Sequence, residues 1–454
     1  MTVTGYERLR EEAAAGRVEE VVVAVPDLQG RLQGSRVSVP YFLDEVARDG
    51  FGACVYLLAA DVEMATGPGY AIDAWASGFG DFVLRPDPGT LRPLPWDPGT
   101  ALVVADAVWP GGEPVEVAPR RVLRAQLDRL TELGLTALAG TELEFLVFRG
   151  SYRDAWERRY HGLETGTRYN VDYALHGLSE VEPVVRRIRR EMVRAGLTME
   201  TARGECHPGQ YEIVFRYDEA MATCDKHVLF KHGAKRIAEQ EGVALTFMPK
   251  FDAGEGNSCH VHLSLRGADG SPVFADADAG ARDGMSELFR HFVAGQLACL
   301  PELTLFMAPN VNSYKRLRPG GFAPTGIAWG RDNRTCPVRV VGSGSSLRLE
   351  HRVPGGDANP YLAVAAVIAA GLYGIENRLP LPAPHPGDAL ADPSVPRLPA
   401  TLGEALRRWE EGGLAAKVFG DAVAGHYAAA ARAELAAFES AVTDWERVRG
   451  FERL

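Results

Sequence analysis

The chain lacks several features that would assign it quickly. It has no run of lysine or arginine, and 49 basic against 60 acidic residues leave a net charge of −11. That balance argues against nucleic acid as a main partner. No apolar stretch is long enough to span a bilayer, and the first twenty residues are polar and charged. The expected location is the cytoplasm, with no membrane partner. Cysteine is sparse: Cys54, Cys206, Cys224, Cys259, Cys299 and Cys336 show no CxxC and no framework spacing. In a chain of 454 residues reduced, buried thiols are the expectation. There is no low-complexity tract, no repeat and no GxxxxGK[ST] loop. The GSGSS at 342–346 lacks the strand-to-helix context, so a nucleotide would bind without a P-loop.

Length alone allows roughly three domains. EEVVVAVPD and RLQGSRVSV, within residues 19–38, read as two strands joined by a turn, followed by the amphipathic YFLDEVARDG. Residues 59–81 read as a loop. Proline- and glycine-dense sequence runs from Arg85 to Pro114, and its end is the expected boundary between a small N-terminal domain (1–113) and a larger one (114–454). Beyond it come the helical RRVLRAQLDRLTELG, stopping at Gly134, and strand-like TALAGTELEFLVF. Two further helices, EPVVRRIRREMVRAG and DEAMATCDKHVLFKHGAKRIAEQEG, precede a strand at Cys259–Leu265. Asn359 before Pro360 reads as an N-cap and first-turn proline for YLAVAAVIAAGLYGI, and the last fifty residues read as helical. Helices alternating with mostly antiparallel strands predict an α+β fold.

Four segments carry functional side chains at every second position. They are Glu142 and Glu144 in TELEFLVF, Glu212 in PGQYEIVF with Glu205 upstream, His260, His262 and Ser264 in NSCHVHLSL, and Arg348, Glu350 and Arg352 in SLRLEHR. In a strand, alternate side chains share a face. Taken singly, an ExE is an edge facing water, an HxH a polar pair, and arginines near 340 surface ion pairs. Four such segments within about two hundred residues would meet a heavy desolvation penalty unless the groups met metal and phosphate. Hard oxygen donors with one imidazole suit Mg²⁺ or Mn²⁺. Glu142, Glu144, Glu205, Glu212, His260 and Glu350 are the candidate ligands for a pair of such ions. Arg316, Arg334, Arg339, Arg348 and Arg352 would neutralise phosphate oxygens and a substrate carboxylate.

These segments, in this order, resemble the glutamine synthetase family over nearly the full length and most densely from about 140 to 362. GECHPGQYEIVFRY, MPKFDAGEGNSCHVHLSL, NSYKRLRPGGFAP, RDNRTCPVRV and LRLEHRVPGGDANPYLA carry the likeness. The resemblance implies an N-terminal β-grasp-like domain and a catalytic domain with an antiparallel sheet backed by helices. It implies a dodecamer of two hexameric rings with sites between subunits. It implies ATP as co-substrate and two or three Mg²⁺ or Mn²⁺ ions. Glu144, Glu205 and Glu212 would share one metal, and Glu142, His260 and Glu350 the second. Tyr217, His262, Ser264, Arg339 and Arg348 would serve the nucleotide. Glu144, Gly256, Arg316 and Arg352 would serve glutamate, with Arg334, Arg339 and Arg316 acting on the transferring phosphoryl group and its acceptor.

Two departures bear on the reaction. Members that use ammonia carry a glutamate where this chain has Phe322, and an FDGSS segment where it has GACVYLLAADVEM. Both anionic partners of ammonium are therefore missing, while the phosphoryl-transfer half is intact. Phe322 suits an amine with a carbon chain, with Asp61 or Glu63 as the acid that would hold it. A third departure sets Glu255 beside Gly256 where ammonia-using members carry asparagine near the glutamate amino group. The NLYDLP segment adenylylated in some relatives is absent. The expected activity is ATP-dependent ligation of glutamate to an organic primary amine, a polyamine such as putrescine, cadaverine or spermidine, or ethanolamine, with the polyamines in front. Alternatives are ammonia-dependent glutamine synthesis, a non-catalytic regulatory paralogue and a metal amidohydrolase.

Overall fold

The computed structural model describes residues 5–276 and 282–454. Its strands, in chain order, are β1 (Val18–Pro26), β2 (Leu32–Ser38), β3 (Phe51–Cys54), β4 (Asp81–Pro86), β5 (Arg92–Pro93), β6 (Gly99–Val108), β7 (Leu135–Arg149), β8 (Met199–Gly204), β9 (Gln210–Phe215), β10 (Asp218–Glu219), β11 (Val243–Thr246), β12 (Cys259–Gly267), β13 (Trp329–Arg331), β14 (Val338–Val341) and β15 (Arg348–His351). Among the described residues they form two sheets. The first runs β2-β1-β6-β4-β3 with β5 beside β6, and the second runs β13-β14-β15-β12-β7-β9-β8 with β10 and β11 on β7. Pairing is antiparallel except for β1–β6 and β13–β14. The fold is α+β.

The first sheet corrects one expectation. The Arg85–Pro114 stretch contains β6, whose GTALVVADAV lies between β1 and β4. Its apolar run is buried on both faces, as a central strand demands. The β1–β2 hairpin is joined to the rest at an N-cap. Asn359 caps the helix Pro360–Glu376, accepting from the Tyr361 amide at 3.1 Å, and donates to the Asp27 and Leu28 carbonyls at 3.1 Å each. That helix packs on the helix Glu287–Met307 at backbone distance: a Cβ on Gly295 would fall 2.0 Å from the Ala370 carbonyl oxygen.

The long strand β7 organises the second sheet, pairing with β12 on one side and β9 on the other. Its Leu143, Phe145 and Val147 share a core with Ile188 and Met192 of the helix Glu182–Arg194 and with Phe230 and Ile237 of the helix Ala220–Gln240. Alternation leaves Glu142 and Glu144 on the opposite face. No described helix is long and apolar enough to cross a membrane. Cys224, Cys259, Cys299 and Cys336 are buried as expected, but Cys54 and Cys206 are partly exposed.

Candidate active site

Register brings the four polar segments onto one surface. Glu142 pairs with His260, Glu144 with Glu212, Arg203 with Glu212, His262 with Glu350, and Arg339 with Glu350. Residues directly opposite in a ladder point the same way, so all these side chains share one face of the sheet.

Two triads result. Glu142, His260 and Glu350 offer ligand atoms within 4.8 Å of one another, and so do Glu144, Glu205 and Glu212. Their electrostatics differ. In the first, burial alone would raise both carboxyl pKa values, yet hydrogen bonds and neighbouring side chains prevail. Hydrogen bonds from His260 and His262 hold Glu142 far below the carboxylate range. His260, Arg352, His262 and Arg339 bring Glu350 down to about 2. Burial lowers the His260 pKa, and Arg352 adds to it, although Glu142 and Glu350 pull the other way. His262 Nδ1 accepts from Arg348 Nε at 3.2 Å, which leaves the ring proton on Nε2, 3.0 Å from Glu142.

The second triad is short of positive charge. Burial and the neighbouring Glu142 push Glu212 up to about 9, and burial with Glu144 pushes Glu205 up to about 7, although Arg203 pairs with both. Ser258 Oγ, buried in the wall of the same cavity, has no hydrogen-bond partner among the described residues. Three buried or half-buried carboxylates within 4.8 Å of one another and an orphaned hydroxyl fit a hard divalent cation. Outer contacts hold Glu144 in place: the Ser258 amide at 2.7 Å and Gln210 Nε2 at 3.1 Å reach its Oε2. The same Gln210 nitrogen also donates to the Gly256 carbonyl.

Both triads face a cavity of about 330 Å³. Its walls include Glu142, Glu144, Glu205, Glu212, His260, Gly256, Arg316, Phe322, Arg334, Arg339 and Arg352. Glu350 lies fully buried beneath. Arg339 and Arg352 both pair with Glu350, while Arg316 donates to the Val353 carbonyl at 2.9 Å. Gly256 is sterically required, since a Cβ there would sit 2.1 Å from the Pro249 carbonyl oxygen. Tyr217, His262, Ser264 and Arg348 line a second cavity of about 410 Å³, and Glu142 lines both. Arg339, expected also at the nucleotide, lines only the first.

Asp61 and Glu63 do not line the first cavity of their own chain; Asp61 opens instead on a small pocket beside Glu434. The sequence reading missed Arg203, Gln210, Asp172, Tyr173 and Cys206, all in the cavity wall. Arg203 and Gln210 stand two positions before Glu205 and Glu212, so the same spacing could have found them. Asp172 and Tyr173 sit on a loop with no periodicity. Burial, with help from Asp172, raises the Cys206 thiol to about 12, so it is a poor nucleophile.

A mostly antiparallel sheet bearing two acid-rich triads, beside an arginine-lined cavity and a second pocket, has the make-up of a metal-dependent phosphoryl-transfer site. Residues 116–449 match the model of the glutamine synthetase catalytic domain, and the chain belongs to that family. It is 56% identical over 450 residues to gamma-glutamylethanolamide synthetase GlnA4 of Streptomyces coelicolor, covering 99% of this chain and 96% of the relative. It is 34% identical over 447 residues to the glutamate–isopropylamine ligase of a Pseudomonas species, covering 97% of each. Among solved structures, GmaS in complex with ADP matches with a TM-score of 0.86 at 30% identity, over 99% of this chain and 100% of that one.

Proposed function

We propose that this protein is an ATP-dependent ligase that joins the γ-carboxylate of L-glutamate to a short primary amine, with ethanolamine as first candidate. The observation that carries the reading is the meeting of two cavities at Glu142, with one triad on the substrate side and the other at the junction. ATP occupies the second cavity, against Tyr217, His262, Ser264 and Arg348, and presents its γ-phosphate at the junction. Mg²⁺ or Mn²⁺ held by the two triads would neutralise phosphate oxygens during transfer.

Arg316 and Arg352 orient glutamate through its carboxylate, and Glu255 with the Gly256 carbonyl takes its α-ammonium. A γ-carboxylate oxygen attacks the γ-phosphorus: that O–P bond forms as the bond to ADP breaks, giving γ-glutamyl phosphate. Arg334 and Arg339 spread the charge on the phosphoryl group in flight. The acceptor ammonium gives one proton to a carboxylate of the cavity, its freed nitrogen then attacks the γ-carbonyl carbon, and a second N–H proton leaves with the phosphate. The C–N bond forms and phosphate leaves. Phe322, 64% exposed at the cavity mouth, supplies an apolar wall for the amine's methylenes. In a dodecameric ring, the neighbouring subunit's N-terminal domain would close this mouth.

The relative at 56% identity moves the preference from polyamines to ethanolamine. Phosphate release from ATP, glutamate and Mg²⁺ across ammonium, ethanolamine, putrescine, cadaverine, spermidine, spermine and monoamines tests the reading. Turnover with ethanolamine but not ammonium is expected; turnover with ammonium alone would restore glutamine synthesis. Phe322→Glu should raise ammonium use relative to ethanolamine, and an unchanged ratio would remove the role given to Phe322.

A further inference from the structure

Two ammonium groups must enter the first cavity if the ligase reading holds, on which this inference rests: the α-ammonium of glutamate and the protonated acceptor. Each needs an anionic partner once it leaves water. The cavity is lined by six acids, Glu142, Glu144, Asp172, Glu205, Glu212 and Glu255. Four of these belong to the two triads described above; Asp172 clusters with Glu205 and Cys206 in a third, more exposed group, but neither it nor Glu255 is part of those two triads. Two remain. Glu255 precedes Gly256, and its Oε2 receives the Phe322 amide at 3.5 Å, which suits the α-ammonium. Asp172 has no assigned task. Its carboxylate takes only the weak S–H of Cys206, at 3.3 Å, and no described cation pairs with it.

Asp172 is held in position by a built loop. A Cβ on Gly204 would fall 2.6 Å from the Val171 carbonyl oxygen, and one on Gly177 would fall 2.2 Å from Val171 Cβ. The loop thus seats against β8 at a distance only glycine allows. Tyr173 donates its amide to the Gly204 carbonyl at 3.3 Å and adopts φ +56°, a left-handed conformation rare for a tyrosine. The Arg203 guanidinium, 5.3 Å from the ring centroid, lies over Tyr173. Backbone strain of this kind survives where surrounding packing enforces it, and it concentrates at functional sites. Its effect here is to set Asp172 beside Glu205 and Cys206 in the wall of the cavity.

We propose that Asp172 holds the ammonium group of the acceptor amine, on a wall it shares with Tyr173, Cys206 and Phe322. The acid that replaces the missing ammonium ligands then comes from the loop that seats against β8, not from the Asp61–Glu63 loop. Its carboxylate selects charged amines, while Phe322 rejects acceptors without a carbon chain.

The test is steady-state kinetics of the full-length enzyme with ATP, Mg²⁺, glutamate and ethanolamine, comparing wild type with Asp172→Asn. Loss of a charge-assisted hydrogen bond should raise the KM for ethanolamine by roughly 10- to 100-fold. The KM values for glutamate and ATP should move by less than about twofold, a split that general misfolding would not give. 2,2,2-Trifluoroethylamine, a two-carbon amine largely uncharged near neutral pH, should be affected far less than ethanolamine. Asp172→Glu should recover part of the loss. An unchanged ethanolamine KM in Asp172→Asn overturns the assignment. So does a rise seen instead in Asp61→Asn/Glu63→Gln, which would assign the ammonium to the neighbouring subunit's loop, or in Glu255→Gln. A wild type inactive with every amine would sink the ligase reading itself, and active wild type with an indifferent Asp172→Asn would sink only this one.

Discussion

Replacing Arg120 with methionine should be among the most damaging single changes outside the active site. Arg120 is 2% exposed and stands in the helix Pro119–Glu132. Its Nε and Nη2 reach both oxygens of Asp225 at 3.0 and 2.9 Å, Nη1 reaches Asp106 at 2.6 Å, and Nη2 reaches Asp87 at 2.7 Å. Asp106 lies in β6 and Asp225 in the helix Ala220–Gln240, so one guanidinium ties the N-terminal sheet to the catalytic core. Burial opposes its charge, but the bonds from Asp225 outweigh that and raise its pKa further. Methionine fills the space and leaves Asp225, 5% exposed, with Tyr361 Oη as its remaining partner. Breaking a buried pair from one side costs about 3–5 kcal/mol. The unfolding entropy of a chain this long is on the order of 1 kcal/mol per kelvin, so the melting temperature should fall by about 3–5 °C. Differential scanning fluorimetry at matched protein concentration reads the shift. Arg120→Met/Asp225→Asn, which removes the stranded charge but keeps an acceptor for Tyr361, should recover more than half of it. A single variant within about 1 °C of wild type, or a double variant as impaired as the sum of the singles, would refute the reasoning.

Burial lowers the His426 pKa to about 4, against 6.5 for an ordinary imidazole. The folded state thus favours neutral His426, and its contribution is intact above pH 6.5 and lost as pH falls toward 4. The loss approaches on the order of 3 kcal/mol. The melting temperature should fall over that window, and less steeply in His426→Asn; equal slopes would exclude His426 as a contributor. Gly140→Val should raise the KM for ATP several-fold while sparing glutamate. Even a Cβ at 140 would lie 3.3 Å from Tyr217 Cβ in the second cavity, and the prediction fails if both KM values move together. Glu212→Gln should weaken divalent-cation binding at least about tenfold, measured by Mn²⁺ titration calorimetry without substrates, and an unchanged affinity would count against the carboxylate triad as a metal site.

Much of the site was legible because a strand repeats every two residues. Glu142/Glu144, His260/His262 and Arg348/Glu350/Arg352 announced which side chains share a face before any pairing was known. Which strands are neighbours was not legible. The order β15-β12-β7-β9-β8 is set by pairing between distant segments, and only that order makes two compact triads of six scattered residues. The strand β6 escaped notice because prolines and glycines crowd both its flanks, although ALVVADAV is itself a buried apolar run. Asp172 escaped for a different reason. Its position depends on glycines at 177 and 204 that let a loop lie flat, and such an approach leaves no periodic trace.

The pairing of Arg339 and Arg352 with Glu350 has a consequence for selectivity. In the resting molecule the positive charge of these two arginines is already balanced from within by Glu350. A ligand must offer those guanidinium groups more than Glu350 does before they turn toward it. A monoanionic phosphate gains little by that exchange. A polyphosphate that arrives with its own cations gains twice, because the cation takes over the carboxylate as the arginines are released. On the ligase reading, the Glu350 pairs would set the site against adventitious anions and yield to a nucleotide that brings its own metal.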